Sequence, residues 1–258
     1  MTGDVPHSPL LGWWPALLAG DVSALRALFT GEPLVDDPLA GRVEGRAAVD
    51  AYIASMRRWL AEHDARPHPV ASTVTTRRAV DEVELKLLSG GAQVALPVAV
   101  VADLDQDRVR AVRVYHSLWP LGGRHAVRAP LLATRAYVLP EPVASYQHAL
   151  AAGDVEAVVA TFEPDGVARE PSGGQYTHRG ADALRAYYAS LFAAGGGIPL
   201  GHCTVTDDGV RCAVEYVVTR WGAHDLPAQA GVAVYERGTS GLLRAARVYD
   251  DVEAPGGA

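Results

Sequence analysis

Two carboxylic acids stand directly before proline at matching places in the chain, Asp37-Pro38 and Glu170-Pro171. Proline biases the preceding residue toward an extended backbone, which holds each carboxylate at a set angle. A carboxylate in an apolar pocket is hard to keep ionised and becomes a competent general base, so the chemistry these residues suit is proton transfer. An acidic loop residue facing water is the competing reading for either alone, and the presence of the pair at both places weighs against it. The chain offers few other reactive groups. Lys86 is the single lysine among 23 basic residues, so a Schiff base has one candidate. No G-x-S-x-G, Walker, G-x-G-x-x-G or H-E-x-x-H pattern occurs, and Gly195-Gly196-Gly197 reads as a loop because no Gly-Lys-Ser/Thr follows it. Cys203 and Cys212, around the turn Asp207-Asp208-Gly209, read as buried free thiols and, without His at ligand spacing, as a poor zinc site. Neither metal nor cofactor is expected.

The matching places belong to an internal duplication. AGDVSALRALF at 19–29 parallels AGDVEAVVATF at 152–162, an offset of 133 that also carries Asp37-Pro38 onto Glu170-Pro171. GRAAVDAYIAS at 45–55 parallels GADALRAYYAS at 180–190, and Arg113-Val114-Tyr115 parallels Arg247-Val248-Tyr249. Four landmarks in one order make the chain two copies of one domain, over 1–119 and 142–258. The Pro- and Gly-rich segment 120–141 reads as the linker.

Each copy must hold its acid with the same elements. Apolar residues at helical spacing over 14–29 and 143–162, interrupted at Gly-Asp, predict paired short helices. Further helices are predicted over 46–61 and 181–193. Strands follow over 70–76, 80–88, 93–102 and 109–118, and over 202–206, 210–221, 229–236 and 243–252. Helices followed by an antiparallel meander give α+β: two tandem cone-shaped domains, each a curved antiparallel sheet wrapped over helices around an apolar pocket.

The run Tyr146, Ala152-Gly153-Asp154, Phe162, Arg169-Glu170-Pro171, Gly180 and Tyr187-Tyr188 resembles the bacterial ketosteroid isomerases of the nuclear transport factor 2-like, or SnoaL-like, superfamily. Gly20-Asp21, Phe29, Asp37-Pro38-Leu39 and Gly45-Arg46 are similar over the same span. The resemblance places Asp37 and Glu170 on the family's general base, Tyr146 on its oxyanion-hole tyrosine and Tyr188 near the tyrosine supporting it. Trp13 and Ile53 are the first-copy counterparts of those tyrosines. The second oxyanion donor falls near Gly231 and Pro97, neither of which can replace it, and losing one such donor costs about 2.7–4 kcal/mol. The acid of the limonene epoxide hydrolase branch falls on Val114 and Val248. The tandem layout is similar to the epoxide hydrolase/cyclases of polyether biosynthesis, which pair the Asp of Asp-Pro with a Glu about one helix downstream. Glu62 lies within a residue of that place. Trp13, Phe29, Tyr52, Trp119, Phe162 and Tyr188 are the expected pocket-lining residues. Glu84 and Glu215 are read as facing solvent, Asp250 and Asp251 as rim residues, and His148 as a surface histidine.

Composition limits the partners. The chain of 258 residues is 49% hydrophobic with a net charge of −7 and no basic stripe, which argues against nucleic acid. No run approaches about 18 apolar residues, so no membrane span is expected, and a start without basic and apolar regions predicts a cytoplasmic protein. The reading is a cofactor-independent acid–base enzyme, a cyclase or isomerase with epoxide opening as its leading form. Its substrate is expected to be a hydrophobic small molecule of polyketide type. The two copies are expected to form an intramolecular pseudo-dimer, with homo-oligomerisation as a further expectation. A non-catalytic small-molecule-binding or scaffold protein of the same fold is the alternative.

Overall fold

The computed structural model describes residues 8–255 and divides into two compact units, one ending at His116 and the other beginning at Ser117. The first holds α1 (Trp13–Ala19), α2 (Val22–Leu28), β1 (Leu34–Asp37), β2 (Gly41–Glu44), α3 (Arg46–Glu62), β3 (Arg66–Val74), β4 (Arg78–Ser89), β5 (Ala92–Asp105) and β6 (Arg108–Tyr115). The second holds the short turn α4 (Trp119–Gly122) and then the same series: α5 (Val143–Ala152), α6 (Val155–Ala160), β7 (Phe162–Arg169), β8 (Thr177–Arg179), α7 (Gly180–Leu191), β9 (Leu200–Asp207), β10 (Arg211–Trp221), β11 (His224–Arg237) and β12 (Leu243–Tyr249). No helix among the described residues is long and apolar enough to cross a membrane.

The repeated Gly-Asp is a two-residue junction between helices. Gly20 and Gly153 close α1 and α5 in the left-handed conformation, at φ 68° and 73°. The following Asp21 and Asp154 accept from the N–H groups of Ala24 and Ala157 at 2.9 and 3.0 Å, starting α2 and α6. In α3 the buried residues Val49, Tyr52, Ile53, Met56 and Leu60 recur at helical spacing.

Each unit has a six-stranded sheet, in order β2-β1-β6-β5-β4-β3 and β8-β7-β12-β11-β10-β9. The meander expected for the last four strands is present and antiparallel. The sheets are mixed, however, because β1 runs parallel to β6 and β7 parallel to β12. Parallel neighbours need a long crossover, here nearly the whole unit, and a local strand pattern does not reveal it. The pairing sets each acid-proline strand beside the last strand of its unit, with Val35 opposite Val112 and Ala168 opposite Ala246.

The segment read as a linker is hydrogen-bonded to the second unit. Arg135 N–H donates to the His202 carbonyl at 2.7 Å, and Ala230 N–H donates to the Arg128 carbonyl at 2.8 Å. The glycine run before β9 has a packing cause: a Cβ on Gly197 would lie 2.1 Å from the Leu150 carbonyl oxygen, so α5 and this loop meet backbone to backbone. Cys203 and Cys212 are buried free thiols. They are not opposite each other, since Cys212 pairs with Asp207, and burial pushes the Cys212 thiol up to about 12.

Candidate active site

The second unit encloses a cavity of about 190 Å³ between α5, α7 and the sheet. Tyr146 enters it from α5, Tyr187 and Tyr188 from α7, Glu170 from the residue after β7, and Tyr216 and Tyr235 from β10 and β11. The Tyr146 and Tyr188 hydroxyls lie 2.9 Å apart, and Gln147 Nε2 donates to the Tyr235 hydroxyl at 2.5 Å. Burial pushes Tyr146 up to about 12 and raises the other four tyrosines well above their ordinary value, so all five remain protonated donors.

Glu170 is half-buried. Its Oε1 lies 2.7 Å from His178 Nε2, and Oε2 has no hydrogen-bond partner among the described residues. Asp250, read above as a rim residue, is instead a wall of the cavity. Its Oδ2 accepts from the Tyr216 hydroxyl at 2.5 Å, and burial pushes the carboxyl up to about 6 against that bond's opposing effect. A period-two count along β12 could have found it: Ala246, Val248 and Asp250 line the cavity, while Arg247 and Tyr249 alternate away. Asp251 also departs from the rim reading. It is buried and accepts from the Ser117 hydroxyl, from Ala126 N–H at 2.8 Å and, at 3.0 Å, pairs with His125 Nδ1.

Tyr216 also accounts for the glycine at position 231. Gly231 lies opposite it across β10 and β11, and a Cβ there would stand 2.6 Å from the tyrosine ring. The ring occupies the space a side chain at 231 would need, and its hydroxyl serves Asp250. Gly231→Ala should therefore cost about 1–3 kcal/mol of stability through overpacking. It should also raise the Asp250 proton affinity by displacing the Tyr216 donor, seen as an upward shift of any pH-rate limb due to that acid. Unchanged unfolding and an unchanged limb would show that the ring has room to move.

The first unit differs at every one of these places. The void beside its Asp37 is about 20 Å³, room for about one water molecule. Trp13 stands in for Tyr146, fully buried and against the rings of Phe29 and Tyr52. Both Asp37 oxygens are engaged. Oδ1 accepts from the N–H groups of Leu39 and Ala40 at 2.8 and 3.0 Å, and Oδ2 accepts from the Tyr52 hydroxyl at 3.2 Å. Burial and the neighbouring Asp37 raise Tyr52 well above its ordinary value.

Several expected site residues lie elsewhere. Glu62 is exposed and outside the void: it sits about 200° around α3 from the buried Leu60, on the opposite face. Phe29 and Phe162 are buried core residues outside the walls of these two cavities, Phe29 bordering a separate depression with Arg26 and Arg108 and Phe162 packing against Tyr146 and Tyr188. Trp119 stacks on His125, which does line the second cavity, and is not itself in its wall. Glu215 is not at the surface but buried, accepting from the Thr204 hydroxyl at 2.6 Å, whereas His148 is exposed as expected. Among the described residues, no group of three or more His, Cys, Asp or Glu side chains is placed to hold a metal ion.

A helix-backed mixed sheet is present in two copies, and in the second it closes on a tyrosine- and acid-lined cavity. The chain belongs to the SnoaL-like domain family, whose model matches it twice, over residues 11–112 and 143–245. No curated protein matches it. Among solved structures it is similar to an epoxide hydrolase/cyclase-like enzyme of pyran ring formation in polyether salinomycin, with 24% identity, 42% of this chain and 85% of that chain covered, and a TM-score of 0.36. It is similar as well to a protein of ketosteroid isomerase-like fold from Catenulispora acidiphila, with 16% identity, 44% and 88% covered, and a TM-score of 0.38. A third is a SnoaL-like protein of unknown function from Burkholderia thailandensis, with 18% identity, 40% and 87% covered, and a TM-score of 0.32.

Proposed function

We propose that the second unit is a cofactor-independent acid–base catalyst acting on a small hydrophobic, oxygenated substrate of polyketide type, and that closure of a hydroxy-epoxide to a cyclic ether is the reaction its groups fit best. The observation that carries this reading is the placing of two unlike carboxyls on one largely apolar cavity. Glu170 has an oxygen without a hydrogen-bond partner among the described residues to accept a proton, and Asp250, pushed up to about 6, holds a proton to give up to about that pH. Glu170 takes the hydroxyl proton as the oxygen bonds to an epoxide carbon. The carbon–oxygen bond of the epoxide breaks, its electron pair stays on oxygen, and Asp250 protonates that oxygen. The product is an isomer of the substrate, and exchange of one proton with solvent at each carboxyl restores the enzyme. The Tyr146–Tyr188 pair donates to the substrate oxygen that gains charge.

The assay is conversion of a short γ,δ-epoxy alcohol, which closes to a tetrahydrofuran, followed by chromatography with mass detection. Product formed faster than in buffer supports the reading, and the absence of any acceleration would remove it.

For the first unit, the filled void and the engaged oxygens of Asp37 favour a scaffold role. Asp37→Ala strips the acceptor from two backbone N–H groups and should destabilise that unit by about 2–4 kcal/mol. Turnover should stay within about twofold of wild type while the protein remains folded. Denaturant unfolding and kinetics on the same sample check both parts, and a large loss of turnover in folded protein would return catalysis to this half.

A further inference from the structure

We propose that His178 is a positioning residue that holds Oε1 of Glu170 so that Oε2 is presented to the substrate. This rests on the reading of Glu170 as the base. A carboxylate can only accept, so the imidazole Nε2 at 2.7 Å from Oε1 carries the hydrogen. The imidazole is itself fixed. It lies on β8, paired across β7 with Ala168, and stacks on the Tyr187 ring with centroids 4.1 Å apart and planes 8° from parallel. Tyr187 lines the cavity and His178 does not, which orders the groups as cavity, Glu170, His178 and then solvent. The imidazole is the outer support of the carboxylate.

The first unit supplies the internal comparison. The pairing that sets His178 opposite Ala168 sets Val43 opposite Val35, and each of these inner residues is two before its acid. The first unit thus has an apolar side chain where the second has imidazole. Tyr187 corresponds to Tyr52 in the repeat, and the two tyrosines do different things. Tyr52 donates to Asp37 and closes its remaining oxygen, whereas Tyr187 gives its ring face to the histidine. The longer Glu170 with an outer donor replaces the shorter Asp37 with its three donors. The change leaves Oε2 of Glu170, a residue of the cavity wall, without a hydrogen-bond partner among the described residues.

The test compares His178→Phe and His178→Ala, which lack the donor, with His178→Gln, whose amide N–H can meet the same oxygen. Wild type and variants are assayed on the γ,δ-epoxy alcohol, and melting is recorded for each. The donor-less variants should lose roughly 10–100-fold in kcat, with KM changed less than about threefold, because carboxylate aim matters to the reacting state more than to binding. His178→Gln should recover to within about fivefold of wild type, since it restores a neutral hydrogen bond. A folded donor-less variant with unchanged kcat overturns the proposal. So does a His178→Gln variant as slow as the donor-less pair, and so does unfolding of both donor-less variants, which would make the histidine structural. The base assignment fails separately: a wild type that does not accelerate the probe, or a Glu170→Gln variant as fast as wild type, removes that reading and the positioning role with it.

Discussion

Glu170→Gln should lower kcat on a hydroxy-epoxide by about 10²–10⁴-fold, the usual contribution of a positioned general base and equivalent to roughly 2.7–5.5 kcal/mol of activation free energy. Gln keeps the volume and the acceptor oxygen that faces His178 but cannot take a proton at catalytic pH. The side chain is 27% exposed, so the folded state loses little, and unfolding free energy should change by about 0.5 kcal/mol or less. The variant therefore separates proton transfer from packing. Asp37→Asn is its internal control: the corresponding acid of the first unit faces a void of about 20 Å³, and turnover should be unaffected. Steady-state kinetics on the three proteins decide the matter. Turnover by Glu170→Gln within threefold of wild type would end the assignment.

Asp250→Asn should make the protein more stable and less active at once. Burial raises the Asp250 carboxyl from 3.8 to about 6. A group whose folded value is raised contributes stability that is fully present below the unfolded value, and this contribution is lost as pH rises through the folded one. At 1.36 kcal/mol per pKa unit, the loss between about pH 4 and pH 7.5 is on the order of 2–3 kcal/mol. Asn carries no charge at either pH and still accepts from Tyr216. The variant should therefore exceed wild type by about that amount near pH 7.5 and match it near pH 4. Its kcat should fall by about 10²-fold or more through loss of the general acid. In wild type, kcat should decline about tenfold per pH unit above about 6, as the acid loses its proton, and that limb should be missing from the variant. Denaturant unfolding at the two pH values, with a pH-rate profile, tests each part. A variant less stable than wild type near pH 7.5 would show that Asp250 is held there as a favourable carboxylate and is not the acid.

The two predictions differ in how much of them the sequence shows. Glu170 is marked by the duplicated acid-proline pair and by its resemblance to a family base. Asp250 carries no such mark. It lies just past the end of β12, in Asp250-Asp251, where only the strand's alternation says which acid turns inward. The pair splits between a cavity wall and an anchor for the segment after Ser117, and no property of the dipeptide chooses between them. Glu62 failed in the opposite direction. Its distance from Asp37 in sequence fits the polyether enzymes' pattern, but the turn of α3 set by Leu60 and Met56 points it to solvent.

By itself, the sequence determined the duplication, the order and type of most elements, and the Gly-Asp junctions. These follow from periodicity, caps and side-chain chemistry acting within a few residues, and two imperfect copies report the same local rules twice. Only the tertiary structure decided that β7 lies parallel to β12, that Asp250 joins Glu170 on one cavity and that the His178 imidazole meets Oε1 of Glu170. It also decided that one void is open at about 190 Å³ and the other filled to about 20 Å³. The physical reason is that pairing and burial join residues about 80 positions apart. A cavity is the volume left after many side chains pack, so replacing Tyr146 by Trp13 within one of two similar frames can fill it.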